Sequence, residues 1–118
     1  MKTLKLALAG MMLLTLTYSG VKAQTKGNGN VTSQERQVSS FDAIKVGCAI
    51  HLILSQGDNQ SVKVETDENL QNRITTKVTN GTLHLNCENI KDPTKMNVYV
   101  TAVTLSSLDA SGAAKLTG

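Results

Sequence analysis

Tryptophan is absent from this 118-residue sequence, proline occurs once, at Pro93, and the aromatics amount to Tyr18, Phe41 and Tyr99. A carbohydrate site made of several stacked rings is therefore excluded, because such sites need exposed aromatic platforms. There is no Gly-x-Ser-x-Gly elbow, no P-loop, no Cys-x-x-Cys pair and no Rossmann glycine pattern, which removes the common signatures of esterases, nucleotide-binding proteins and dithiol enzymes. Positive charge is also scarcer than it looks. Twelve Lys and Arg face nine Asp and Glu, but Lys2, Lys5 and Lys22 lie in an N-terminal segment that reads as an export signal, leaving nine against nine. A formally neutral mature chain lacks the electrostatic footprint of a nucleic-acid or anionic-membrane binder.

The segment 1–23 has the three parts of a secretory signal peptide: Lys2 and Lys5, then the apolar run Leu6 to Leu16, then Val21-Lys22-Ala23 with small residues at the cleavage positions. The apolar run would rise only about 16 Å as a helix, roughly half a bilayer's hydrocarbon thickness, so cleavage after Ala23 is expected rather than anchoring. No transmembrane segment is expected after cleavage, since no later run approaches the length that spans a bilayer. The expected location is the periplasm, the outer surface or the extracellular space. In such oxidising surroundings the two cysteines, Cys48 and Cys87, can form a disulfide. Cys48 shares parity with Ile50, Leu52 and Leu54, and Cys87 with Leu83 and Leu85, so both face the core if these runs are strands. A bridge and a pair of buried thiols both fit that placement.

The rest of the chain reads as strands. Residues 24–34 are polar, with only Val31 to bury, and are expected to form a flexible lead-in. Residues 35–118 are expected to form one β domain, and from Val38 onward the period is two. Val38, Ile44 and Val46 share a phase that Phe41 breaks, and Cys48 to Leu54 resumes the alternation after Gly47, as two strands or one bent strand. Val62 and Val64 alternate with Lys63 and Glu65; Met96, Val98 and Val100 alternate with Asn97, Tyr99 and Thr101. Asp67 to Leu70 has the manners of a single helical turn. Asn80-Gly81 separates two alternating runs and predicts a β-hairpin, because a type I′ turn needs positive φ at both central residues. From Leu105 onward, short apolar touches alternate with small residues and glycine, the kind of tight corner a solenoid coil needs.

Arg36-x-Val38-x-x-Phe41-Asp42-x-Ile44-x-Val46, Gln56-Gly57, Val62-x-Val64-x-x-Asp67-x-Asn69-Leu70, Asn80-Gly81-Thr82-Leu83 and Leu105-x-x-Leu108-x-x-Ser111-Gly112-Ala113 occur in an order that resembles the head GIN domain family of putative autotransporter adhesins, a domain of unknown function common in exported Bacteroidetes proteins. The resemblance implies an all-β, right-handed parallel β-helix of the pectin lyase-like kind and a role at the cell envelope in adhesion. Family members continue through further Ser-Gly-Ala coils, so the resemblance also implies a small solenoid whose C-terminal coils are missing from this chain.

Chemistry is hard to place on these residues. His51 and His84 both have outward parity, and no carboxylate shares their phase to complete a metal site. The acidic residues are scattered through turns, without the facing pair of a glycosidase or the calcium cluster of a pectate lyase-like site. The expectation is accordingly no catalytic residue, no cofactor and no metal. Tyr99, outward by parity, is the one candidate ligand contact. The reading that follows is a non-enzymatic, exported, adhesin-like surface-binding module whose partner is a surface carbohydrate or an envelope protein. A polysaccharide-binding or polysaccharide-processing domain and a self-assembling fragment that pairs edge to edge with a second copy are the alternatives.

Overall fold

The computed structural model describes residues 23–111 and 115–117. The segment read as a signal peptide lies outside them, apart from Ala23. The described residues form β1 (Thr25–Lys26), β2 (Val31–Glu35), β3 (Ala43–Val46), β4 (His51–Gln56), β5 (Ser61–Asp67), a 3-10 helix (Glu68–Arg73), β6 (Ile74–Thr79), β7 (Thr82–Cys87), β8 (Ile90–Lys91), β9 (Met96–Ala102), β10 (Ser107–Ala110) and β11 (Lys115–Thr117). A four-stranded sheet has the order β10-β3-β7-β6, a five-stranded sheet the order β11-β4-β9-β5-β2, and β1 pairs with β8.

Alternation explains why these segments are strands. In β9 every second residue, Met96, Val98, Val100 and Ala102, is buried, and in β5 Val62 and Val64 are buried between exposed Ser61 and Lys63. One apolar cluster takes Ile44, Val46, Ile74, Leu83 and Leu85 from the four-stranded sheet and Leu52, Val62, Val64, Val98 and Val100 from the five-stranded one. The two sheets thus share a single interior, as in face-to-face sheet packing. Phe41, out of phase in the sequence, precedes β3 and fills that interior from a connecting segment. Between β3 and β4 the chain changes sheet. Cys48 takes φ 65°, a left-handed conformation that ends the extended run, while Ile50 stays buried.

The expected right-handed parallel β-helix is corrected by the pairing. Both sheets are mixed: β3 runs parallel to β7 and β10, and β4 parallel to β9 and β11, but β5 is antiparallel to β9 and β2, and β6 is antiparallel to β7. A solenoid stacks each coil on the one before it. Here β3 and β4 each lie inside a sheet, with the later strands β7 and β9 on one flank and the still later β10 and β11 on the other. The all-β class and the hairpin stand. Asn80 and Gly81 adopt φ 52° and 77°, and Thr79 pairs with Thr82 across the turn.

Residues 24–34 also differ from a loose lead-in, for they contain β1 and β2. The polar segment is held by backbone pairing to β8 and β5 rather than by apolar burial. A buried carboxylate completes the attachment: Asp67 accepts hydrogen bonds from the Gly29 amide at 2.8 Å, the Thr94 amide at 2.7 Å and the Thr94 hydroxyl at 2.7 Å. Nearby, Arg36 donates to the carbonyl oxygens of Gln71 at 2.8 Å and Ile74 at 3.0 Å, linking β2 to the 3-10 helix and β6.

Candidate functional site

The outer face of the five-stranded sheet is set by register. Asn97 stands between His51 and Glu65, Tyr99 between Ile53 and Lys63, and Thr101 between Ser55 and Ser61. Ser33 and Glu35 extend the first two rows on β2. Tyr99 is at the centre, half-buried, with its hydroxyl donating to Glu65 Oε1 at 3.0 Å. Asn97 Nδ2 donates to the same oxygen at 3.0 Å, and Lys63 Nζ lies 5.0 Å from the centroid of the Tyr99 ring. The ring is therefore held at both ends, by a carboxylate at its hydroxyl and a cation over its face.

The electrostatics follow from those contacts. Hydrogen bonds from Asn97 and then Tyr99 hold the Glu65 carboxyl below its ordinary range against the opposing effect of burial, with help from the charges of Lys95 and Lys63. The same hydrogen bond to Glu65, with burial and the carboxylate's charge, raises the Tyr99 phenol above its ordinary value. At neutral pH Glu65 is an anion and Tyr99 a neutral donor. The arrangement offers a fixed aromatic ring, amide and hydroxyl groups, the ammonium of Lys63 and the carboxyl groups of Glu65 and Glu35. That is recognition chemistry, suited to a ligand that stacks and hydrogen-bonds.

The other sequence candidates fall elsewhere. Cys48 and Cys87 are joined, with Cα atoms 6.0 Å apart, at the end of β7 and the corner after β3. His51 is on this face, whereas His84 is on the four-stranded sheet, so the two imidazoles do not share a site. Among the described residues, no group of three or more His, Cys, Asp and Glu side chains is placed to hold a metal. Sequence reasoning picked out Tyr99 and missed the surroundings that hold it. The outward phase of Lys63 and Glu65 was visible, but the register of β5 against β9 that places them beside Tyr99 was not.

Residues 40–118 match the family described as "Putative auto-transporter adhesin, head GIN domain". The chain belongs to this family. Solved structures agree on the fold. A putative lipid binding protein from Parabacteroides distasonis is 26% identical at a TM-score of 0.70, covering 79% of this chain and 42% of its own. A putative adhesin from Parabacteroides merdae is 24% identical at 0.71, covering 79% and 40%. A putative adhesin from Bacteroides fragilis is 18% identical at 0.72, covering 78% and 44%. This chain thus spans about two-fifths of the length of the solved structures it matches. It shares its fold with these structures, and that fold, with its mixed sheets in this chain, stands in place of the expected parallel β-helix. No curated protein matches it. The family and these neighbours are described as adhesins or binding proteins, a surface-binding class rather than an enzyme class.

Proposed function

We propose that this head GIN domain is an exported, non-enzymatic recognition module that binds a surface carbohydrate through the outer face of its five-stranded sheet. The observation that carries this reading is Tyr99, held by Glu65 and Lys63 and flanked on the same face by Asn97, Thr101, Ser55 and Ser61. A fixed ring loses little conformational freedom when a sugar ring stacks on it. The hydroxyl and amide groups around it match the hydroxyls a sugar presents.

An array of neutral and acidic oligosaccharides, probed with the processed protein, tests the reading. Binding is expected on at least one class. Tyr99→Ala should weaken it by roughly tenfold or more, and Tyr99→Phe, which keeps the ring but releases Glu65, by about threefold. Unchanged binding by a folded Tyr99→Ala variant overturns the proposal, as does release of new reducing ends from any oligosaccharide that binds. Export is checked by mass spectrometry of the secreted product, whose first residue should be Gln24.

A further inference from the structure

The opposite face of the molecule carries a second constellation, independent of Tyr99. Register places Lys45 on β3 beside His84 on β7, and His84 beside Lys77 on β6. Neighbouring strands lie about 4.8 Å apart, so two ammonium-bearing stems and an imidazole occupy about 10 Å of one row. Among the described residues, the side chains of Lys45, Lys77 and His84 make no hydrogen bond or ion pair. Asp109, the nearest carboxylate in the row, stands on the far side of Lys45 from His84.

Beside this row the surface sinks into a depression of about 250 Å³ lined by Lys45, Gly47, His84, Leu85, Asn86 and Ser111. Gly47 keeps it open: a Cβ there would stand 3.4 Å from Asn86 Oδ1 and 3.8 Å from Ser111 Oγ. The carboxamide is oriented, because Asn86 Oδ1 accepts the Cys87 amide at 2.9 Å, which leaves its NH₂ as the available end. The walls therefore present an ammonium, an imidazole and an amide NH₂, and no carboxylate, while the Ser111 hydroxyl donates to the Val46 carbonyl at 3.4 Å. Such a set of donors is complementary to an anion. The disulfide ties two of the walls together, since Cys48 follows Gly47 and Cys87 follows Asn86.

We propose that this depression binds a carboxylate, sulfate or phosphate substituent of an acidic polysaccharide. The wider face favours a polysaccharide over the other polyanions. Thr82 pairs with Thr79 and Thr75 with Asn86, so hydroxyl and amide groups flank the row and can meet sugar hydroxyls. Nucleic acid and anionic bilayers present extended negative charge and call for a continuous basic track, whereas here the cations form one short row that Asp109 closes at one end.

The test is a titration of the oxidised, processed protein, followed by the amide resonances of each residue at constant ionic strength. The probes are sodium sulfate, a sulfated hexasaccharide, neutral maltohexaose and phosphatidylglycerol vesicles. The expected result is perturbation centred on residues 45–47, 84–86 and 111, with the sulfated hexasaccharide binding at least tenfold more tightly than sulfate and maltohexaose leaving these amides unmoved. Lys45→Gln and His84→Gln should each weaken binding about three- to tenfold, and reduction of the disulfide should weaken it as well. Lys77→Gln, on an exposed side chain, supplies the same reading should His84→Gln fail to fold. Equal responses to sulfated and neutral sugars, or unchanged binding in folded Lys45→Gln and Lys77→Gln variants, would overturn the proposal. Binding to vesicles in preference to the hexasaccharide would overturn the choice of a polysaccharide. Perturbations at Asn97 and Tyr99 would report the other face, so the two proposals fail separately.

Discussion

The carboxylate of Asp67 is fully buried, and burial alone would push its pKa up. Hydrogen bonds from the Thr94 hydroxyl and amide and the Gly29 amide outweigh that effect and hold the group below its ordinary range. A depressed carboxyl pKa contributes stability that is fully present above the unfolded value, about 4, and is lost as pH falls through the folded value. Urea midpoints measured between pH 7 and pH 2.5 should therefore fall below about pH 4, and more gently in Asp67→Asn, which has no charge to lose. Asp67→Ala strands two backbone donors and should cost about 3 kcal/mol at pH 7 by the same measurement. Gly27 belongs to the same cluster, because a Cβ at that position would lie 2.7 Å from the Asp67 carboxyl. Gly27→Ala should lower the urea midpoint through an overpacking cost of about 1–3 kcal/mol. None of this was legible in the sequence, where Asp67 reads as the acid opening a helical turn and its partners are 38 and 27 residues away.

At the scale of elements, legibility followed locality. The β6-β7 hairpin was readable because two adjacent residues, Asn80 and Gly81, carry the whole requirement for positive φ. Gly81→Ala should destabilise by about 1–2 kcal/mol in chemical denaturation, since alanine resists that conformation and its Cβ would meet Asp42 Oδ1 at 3.3 Å. The inward phases of β5 and β9 were equally readable, and with them the outward position of Tyr99. Pairing partners were not, because alternation states which side a residue faces and nothing about which strand lies alongside. The rows Glu65-Asn97-His51 and Lys77-His84-Lys45 exist only through that register. β2 escaped notice for a related reason: it is an edge strand fixed by its backbone, with exposed Ser33, Gln34 and Glu35. The joined Cys48 and Cys87, 39 residues apart, give a further check. Thiol titration of the unfolded, unreduced protein should find no free thiol, and reduction should cost up to about 4 kcal/mol if the effect is one of chain entropy.

For the whole molecule, the two sheets divide the surface into two faces with different chemistry: an aromatic ring pinned between a carboxylate and a cation on one, and a short cationic row beside a donor-lined depression on the other. A linear polymer can engage either face, and the two faces are far enough apart in the fold to be tested one at a time. The order of strands bears on durability as well. β10 and β11 each lie at the rim of a different sheet, alongside β3 and β4, and among the described residues no other strand depends on them for pairing. Removing residues 107–118 would leave the β3-β7 and β4-β9 ladders whole while uncovering a vacant slot on each sheet, both shaped for the same missing ribbon. Two copies that each release this ribbon can exchange it reciprocally, giving an entwined dimer held by the contacts that hold one copy alone.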